Sequence, residues 1–311
     1  MNEYRPTGVI PVLEVPFHSD ESIDLPGFVS VVQHTIDAGA DAVMFPAFAS
    51  EFLKLSDHER AGLEETLLDL AGERGFPAII SVQEHATRLA ALATARAVES
   101  GAAAVNVLPP HRLGVGAPAM RAHLGEVLAA ADGRPVILQY APAETGSSLD
   151  LRLIAELCEL HPNLWGVKVD SSPAGAMIDA LTAVGDRIGR PIGTTVGYAG
   201  LHLLDCYDRG AGAVQPGCSF TELYVELWQL LTAGDTEAAA DLHGQLLPYL
   251  NHWMQAVELI VAAEKQVSYR RGWIGTATVR QPGVVLDERE RARVDSFLLH
   301  FTRLHDRETQ R

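Results

Sequence analysis

Lysine is almost missing from this chain. Three occur in 311 residues, Lys54, Lys168 and Lys265, although arginine is plentiful. Where a generic surface cation was wanted, arginine was used, so each lysine raises a question about its surroundings. Cysteine is equally sparse: Cys158, Cys206 and Cys218 lie far apart, without a CxxC or any paired spacing. That excludes a disulfide framework and reads as reduced thiols packed as small apolar side chains, in a cytoplasmic protein. No window reaches the ~18–20 uninterrupted apolar residues of a membrane span. The amino terminus, MNEYRPTGVIPV, lacks a basic region followed by a long apolar run, so no signal peptide is expected. Basic residues are in deficit, 24 against 40 acidic ones, for a net charge of −16. Nucleic acids and anionic membranes both need a basic face, so neither is an expected partner. A small anionic substrate stays open, because a local pocket can oppose the global charge. Also absent are a G-x-G-x-x-G after the first strand, a G-x-S-x-G, a P-loop and any His/Cys/Asp cluster with metal-ligand spacing, so no metal is expected.

What is present is a repeated two-part unit. Hydrophobic residues are 47% of the chain, ample for a full core. About eight times, a short β-branched run is followed by a turn and a stretch rich in Ala and Leu. The expected strands are 8–16, 41–47, 77–83, 103–108, 135–141, 164–170, 191–196 and 212–217. Between them, in stretches such as 25–39, 57–74, 86–101 and 149–161, apolar residues recur at three- and four-residue steps, as in helices lying on a sheet. Ser56 with Glu59 makes a capping box, and Gly39, Gly101 and Gly185 stand where left-handed C-caps would close helices. Alternating strands and helices imply parallel strands with right-handed crossovers. Eight such units close most naturally as an α/β fold, a (β/α)8 TIM barrel, here over residues 1–233. An open doubly wound sheet is the runner-up. Residues 234–311 read as a carboxy-terminal helical domain, too apolar for a linker.

The stretch LWGVKVDSS, residues 164–172, places Lys168 inside an expected strand. An ammonium taken out of water is costly unless it is paired or loses its proton. Lys168 is therefore a structural ion-pair partner, to an acid such as Asp170 or Glu51, or an amine with a chemical task. Alternation puts Gly166, Lys168 and Asp170 on one face and Val167 and Val169 on the other. The valines suit the helix-facing side, which aims Lys168 into the barrel mouth, where active sites of such barrels gather. A partly desolvated amine there is a nucleophile able to form a Schiff base with a 2-oxo acid.

The same rule brings other residues to the mouth. Ser50 and Glu51 follow strand two, His111 follows strand four, and Gln139 or Tyr140 ends strand five. Strands seven and eight end in TTVGYAG and QPGCS, turns whose amides could hold a carboxylate. Each has a plainer reading: His111 as a loop histidine, Glu51 as an anchor for its loop, Tyr140 as a packed ring.

These residues carry a resemblance. From residue 8 to about 290 the chain resembles the dihydrodipicolinate synthase / N-acetylneuraminate lyase family of Schiff-base aldolases and dehydratases. The landmarks are VPFHSDESIDLPGF, the strand-two loop followed by LSDHER, the P-x-x-T-G of APAETG, GVKVDSS and GAGAVQPGCS. The resemblance implies a (β/α)8 barrel with a carboxy-terminal helical domain, usually a homotetramer. It also implies an imine between Lys168 and a 2-oxo acid, with no cofactor.

The departures narrow the reading. The family's G-T-T-G-E loop is Ala47-Phe48-Ala49-Ser50-Glu51 here, and its relay tyrosine on the strand-four loop is His111. The family's Y-N-x-P-x-x-T-G becomes Gln139-Tyr140-Ala141-Pro142-Ala143-Glu144-Thr145-Gly146. Without a gap, Gln139 replaces the acid/base tyrosine; sliding one residue restores it as Tyr140 but breaks the register with Pro142. Alternation sends the two to opposite faces without choosing between them. Glu144 stands where dihydrodipicolinate synthases have an arginine for the aldehyde substrate's carboxylate, which a carboxylate would repel. The L-2-keto-3-deoxyarabonate dehydratase branch is nearer. It has an S-E followed by L-S/T-D-x-E-R, a Q-x-A-P-A and a P-L-I-N-H-like tail, matched here by SEFLKLSDHER, QYAPAE and LLPYLNH.

The resemblance thus implies a lyase that dehydrates or cleaves a 2-keto-3-deoxy sugar acid or related 2-oxo acid. Lys168 would be the nucleophile, with Tyr140, His111 and Glu51 as proton carriers in that order. Ala49, Ser50, Glu51, Gln139, Gly197 and Asp170 would bind the substrate; Arg112 and Arg152 are further candidates for its counter-charge. Three alternatives stand beside it. They are a pyruvate-dependent aldolase for an apolar or aromatic aldehyde, suggested by Phe48 and Pro110, a dihydrodipicolinate synthase-like condensation, and a non-catalytic binding homologue.

Overall fold

The computed structural model describes residues 4–146 and 148–302; residues 1–3 and the expected tail beyond 302 lie outside them. The strands in chain order are β1 (Gly8–Val9), β2 (Val43–Phe45), β3 (Ala78–Val82), β4 (Ala104–Val107), β5 (Val136–Tyr140), β6 (Leu164–Val169), β7 (Gly193–Val196) and β8 (Ala213–Val214). The helices that follow them are α1 (Leu25–Asp37), α2 (Asp57–Arg74), α3 (Thr87–Glu99), α4 (Ala117–Ala130), α5 (Pro142–Thr145), α6 (Leu151–Leu160), α7 (Ala174–Ile188) and α8 (Leu203–Asp208). After β8 come α9 (Thr221–Ala233), α10 (Thr236–Trp253), α11 (Val257–Arg270) and α12 (Glu288–His300). The chain divides into two compact units, Met1–Ile10 with Pro77–Gln215 and Pro11–Phe76 with Pro216–Arg311.

In the first unit seven strands run parallel in the order β1-β8-β7-β6-β5-β4-β3. The first strand lies against the last, Gly8 opposite Ala213 and Val9 opposite Val214. A closed barrel makes that pairing and the usual doubly wound order does not. Residues of β3, β4 and β5 are buried on both faces apart from the end of β5, as strands covered by crossover helices must be.

In the second unit Val12 forms parallel bridges to Met44 of β2 and to Gly217. The runs 8–16 and 212–217 were expected as whole strands, yet β1 and β8 are two residues each. Pro11, Pro16 and Pro216 interrupt them; a proline has no N–H to give to a ladder, so beyond Val9 and Val214 the pairing survives as single bridges. The Phe297 ring of α12 meets Phe220, Tyr249, Trp253 and Phe301 at centroid distances of 5.0–5.2 Å. These contacts bind α12 to α10 and to the start of α9 and explain why the tail is apolar. Among the described residues no helix is long and apolar enough to cross a membrane.

The caps follow local chemistry. Ser56 Oγ accepts the Glu59 N–H at 3.3 Å and Glu59 accepts the Ser56 N–H at 2.9 Å, the reciprocal pair that starts α2. Gly39 and Gly101 take positive φ after α1 and α3. Gly185, expected as a cap, instead lies inside α7, which Gly189 closes with φ +72°. A Cβ on Gly185 would stand 2.9 Å from the Arg190 carbonyl oxygen, so this glycine allows close packing against the chain leading into β7.

Candidate active site

All of the site's polar centre belongs to the first unit. Lys168 sits next to the end of β6, and Val167 and Val169, on the opposite face, are fully buried. In the ladder Lys168 stands opposite Gln139 of β5 and Thr195 of β7, and Ser81 of β3 stands opposite Asn106 of β4. Five adjacent strands thus contribute a buried polar residue each, where barrel interiors ordinarily stack branched apolar ones.

Buried polar groups need partners, and this row supplies its own. Asn106 Nδ2 donates to Ser81 Oγ at 3.1 Å and to Gln139 Oε1 at 3.0 Å. Gln139 Nε2 donates to Asp170 Oδ2 at 2.9 Å, and Lys168 Nζ reaches the same oxygen at 2.9 Å. The other oxygen, Asp170 Oδ1, accepts the Tyr198 N–H at 3.2 Å. Lys168 is only 6% exposed, so its ammonium depends on Asp170 for its charge partner. The Thr195 hydroxyl, beside Lys168 in register, has no hydrogen-bond partner among the described residues.

The turn after β7 makes this geometry. Gly197 donates its N–H to the Val169 carbonyl at 3.1 Å, extending the ladder by one residue. A Cβ on Gly197 would lie 1.6 Å from Asp170 Oδ1, so glycine is the residue that lets the carboxylate approach. Tyr198 then turns into the left-handed region, φ +48°, and its hydroxyl donates to Glu144 Oε2 of α5 at 3.3 Å. Burial, with a smaller contribution from the Asp170 charge, pushes the Glu144 carboxyl above the ordinary carboxylate range, while the Tyr198 bond and Lys168 pull it back. Burial and the neighbouring Glu144 push the Tyr198 phenol up as well, which keeps it a neutral donor. Glu144 and Tyr198 are half-buried, so they form the rim of a deeper polar layer.

The expected residues sort accordingly. Lys168, Asp170, Gln139 and Gly197 come together. Tyr140 pairs in register with Val169, on the face opposite Lys168. His111 packs on His85, ring centroids 4.3 Å apart, and burial with the His85 and Arg112 charges lowers its pKa. Arg112 and Arg152 are exposed. Ala49, Ser50 and Glu51 belong to the second unit. There Ser50 Oγ donates to the Leu13 carbonyl and accepts the Ala47 N–H at 3.0 Å. Glu51 is paired with Lys265, with Lys54 at 3.0 Å and with the Arg280 N–H at 3.1 Å.

Ser81, Asn106 and Thr195 of the polar row escaped the sequence reading, and so did Tyr198 and Lys265. Tyr198 was visible only as part of a glycine turn, and nothing local signals that its ring would reach Glu144. Lys265 lies in the helical run LIVAAEKQV and is 0% exposed. A lysine amid apolar helix neighbours was the available signal. Among the described residues no group of three or more His, Cys, Asp or Glu could hold a metal ion. What the first unit does offer is one amine, one carboxylate against it and a protonatable rim, the parts needed for carbonyl addition and proton transfer.

Comparison with known proteins agrees with this architecture. The chain is 29% identical over 294 residues to the 4-hydroxy-tetrahydrodipicolinate synthase of Salinibacter ruber, covering 92% of each chain. It is 26% identical over 291 residues to the L-2-keto-3-deoxyarabonate dehydratase of Azospirillum brasilense, covering 92% of this chain and 88% of that one. The crystal structure of YagE from Escherichia coli K12, in complex with pyruvate, superposes with a TM-score of 0.85 at 24% identity, over 95% of this chain and 98% of that one. That likeness shows the fold, a TIM barrel followed by carboxy-terminal helices. The Dihydrodipicolinate synthetase family, whose members are lyases, has a family model that matches residues 5–300, and the chain belongs to it.

Proposed function

We propose that the protein is a Schiff-base-forming lyase acting on a 2-oxo acid, with Lys168 as the nucleophile and no cofactor beyond the imine. The observation that carries this is the Lys168–Asp170 pair, buried beside the end of β6 and fixed by Gln139 and the Tyr198 amide. The amine adds to the C2 carbonyl and expels water. The resulting iminium withdraws electrons from C2 and acidifies the C3–H bond. Loss of that proton gives an enamine, from which a C4 hydroxyl can leave; cleavage of the C3–C4 bond is the aldolase alternative from the same imine.

Lys265, although more deeply buried, is not the candidate. Glu51, the Thr278 carbonyl at 3.0 Å and the Phe17 ring, 4.1 Å from Nζ, enclose its ammonium.

A 2-keto-3-deoxy sugar acid is the favoured substrate class. Two things support it: similarity along the chain to a 2-keto-3-deoxy acid dehydratase, and Glu144 at the rim. A carboxyl at that rim opposes a second carboxylate on the substrate and accepts hydrogen bonds from hydroxyls. The condensation that needs a dicarboxylate partner is correspondingly disfavoured.

The test is intact mass after borohydride reduction with a panel of 2-oxo acids, on wild type and Lys168→Ala. An adduct in wild type that is missing from the variant is expected, and its mass separates a dehydrated keto acid from retained pyruvate. A folded wild type that traps no member of the panel would overturn the proposal.

A further inference from the structure

We infer that Glu144, oriented by Tyr198, takes the C3 proton from the Lys168 imine and delivers it to the departing oxygen. The inference rests on the imine reading above and adds the proton carrier that reading leaves open.

The geometry is a short chain of contacts. Tyr198 binds Asp170 through its backbone N–H and Glu144 through its hydroxyl. The residue that holds the Lys168 amine is therefore also the one that fixes the turn bearing the Glu144 partner. Glu144 itself stands on α5, which starts two residues after β5, the strand that supplies Gln139 to the same Asp170 oxygen. Lys168 and Asp170 each act electrostatically on Glu144.

Elimination of the neighbours points the same way. Gln139 lies in the right layer but carries an amide, which does not exchange a proton near neutral pH. Tyr140 lies on the opposite face of the sheet, and His111 packs its ring against His85 at a tilt of 58°. A carboxyl lifted above its usual range by burial is a competent base and, once protonated, a competent acid. Because the rim is half-exposed, it can also trade its proton with solvent.

The step balances as follows. The C3–H bond breaks, its proton bonds to the Glu144 carboxylate, its electron pair becomes the C2–C3 double bond, and the C2–N π pair moves to nitrogen. In dehydration the nitrogen pair re-forms the C2–N double bond, the C2–C3 pair shifts to C3–C4, and the C4–O bond breaks. The leaving oxygen collects the proton from Glu144 and departs as water. Tyr198 is a positioning residue: its hydrogen bond favours the carboxylate form and sets its direction.

The experiment uses pyruvate as probe and keeps imine formation apart from proton transfer. Borohydride trapping reports the imine; wash-out of the pyruvate methyl protons in D2O, followed by NMR, reports C3–H transfer. Glu144→Gln is expected to trap pyruvate like wild type while exchange falls about 10²- to 10⁴-fold. Tyr198→Phe is expected to lower exchange less and to move the acid limb of its pH profile to higher pH, since a bond to the carboxylate is gone. Exchange at the wild-type rate in Glu144→Gln with trapping intact would overturn the inference and leave the imine standing. Loss of trapping in that variant would also overturn it, because Glu144 would then serve imine formation. An acid limb unmoved in Tyr198→Phe removes the orienting role. A wild type that traps nothing instead defeats the imine reading itself.

Discussion

Lys168 and Gln139 converge on a single atom: Asp170 Oδ2 lies 2.9 Å from the lysine nitrogen and accepts the glutamine amide at 2.9 Å. Because Gln139 Oε1 accepts from Asn106 at 3.0 Å, its NH2 must face Asp170, and the carboxylate has one orientation towards Lys168. Gln139→Leu preserves bulk but strips Asn106 of an acceptor and Asp170 of a donor. Unsatisfied buried groups cost about 1–3 kcal/mol, so the variant should unfold several degrees earlier. Its kcat on the 2-oxo acid should fall roughly tenfold or more, the factor that about 1.4 kcal/mol of lost positioning represents. Unchanged kcat in a folded Gln139→Leu would mean that the polar row is packing alone.

Gly197 makes the sharpest steric prediction. An added Cβ would meet Asp170 Oδ1 at 1.6 Å, a distance no rotation of the methyl relieves. Gly197→Ala must displace Asp170 or the turn, at a cost of about 1–3 kcal/mol as for other overpacked sites. Displacing Asp170 also uncouples Lys168, so borohydride trapping should slow along with turnover. Trapping at the wild-type rate would show that the amine does not need Asp170 where it stands.

The architecture was legible because it repeats: the alternation of β-branched runs with Ala/Leu stretches survives local irregularity, and Ser56 with Glu59 announces a helix start by itself. Strand ends were less legible where prolines act, since Pro11 and Pro216 cut the ladder without disturbing the apolar pattern. At the site, parity alone aimed Lys168 inward. It could not choose between Gln139 and Tyr140, because that needs the register of β5 on β6, which pairs Gln139 with Lys168 and Tyr140 with Val169. Tyr198 depends on one positive φ in a glycine-flanked turn and on a partner 54 residues earlier in the chain. Pattern reading has no access to either.

The two buried lysines should separate cleanly by mutation. Lys265 is enclosed by Glu51, the Thr278 carbonyl and the Phe17 ring, and burial lowers its pKa against the pull of Glu51. Lys265→Met leaves the buried Glu51 with Lys54 and the Arg280 N–H as its remaining partners. Breaking a buried pair from one side costs about 3–5 kcal/mol, so a large fall in Tm is expected. The folded fraction should still trap a 2-oxo acid on Lys168. Lys168→Ala should abolish trapping altogether, and its Tm should fall as well, because the buried Asp170 is left with only the Gln139 amide and the Tyr198 N–H. Mass mapping that places an adduct on Lys265 would contradict this division.

Two acids of the second unit set a pH dependence of stability. Glu14 and Glu264 are both buried, and burial pushes both carboxyls from 4.5 to about 7, with the Glu51 charge adding to the rise of Glu14 and the Glu14 charge to that of Glu264. Glu264 keeps two donors, the Ser219 N–H at 3.1 Å and hydroxyl at 2.6 Å, and these only partly offset burial. Between pH 4.5 and 7 the unfolded chain has released these protons and the folded chain retains them. The unfolded state then binds fewer protons, so stability falls as pH rises through that window and levels off above about 7. One such group accounts for on the order of 3 kcal/mol. Glu264→Gln keeps a carbonyl oxygen for Ser219 and removes the ionisation. Its denaturant unfolding should show a shallower slope between pH 5 and 7 and higher stability than wild type at pH 8. Parallel curves for variant and wild type across that range would mean that Glu264 is already ionised in the folded state, with a counter-charge that burial alone does not supply.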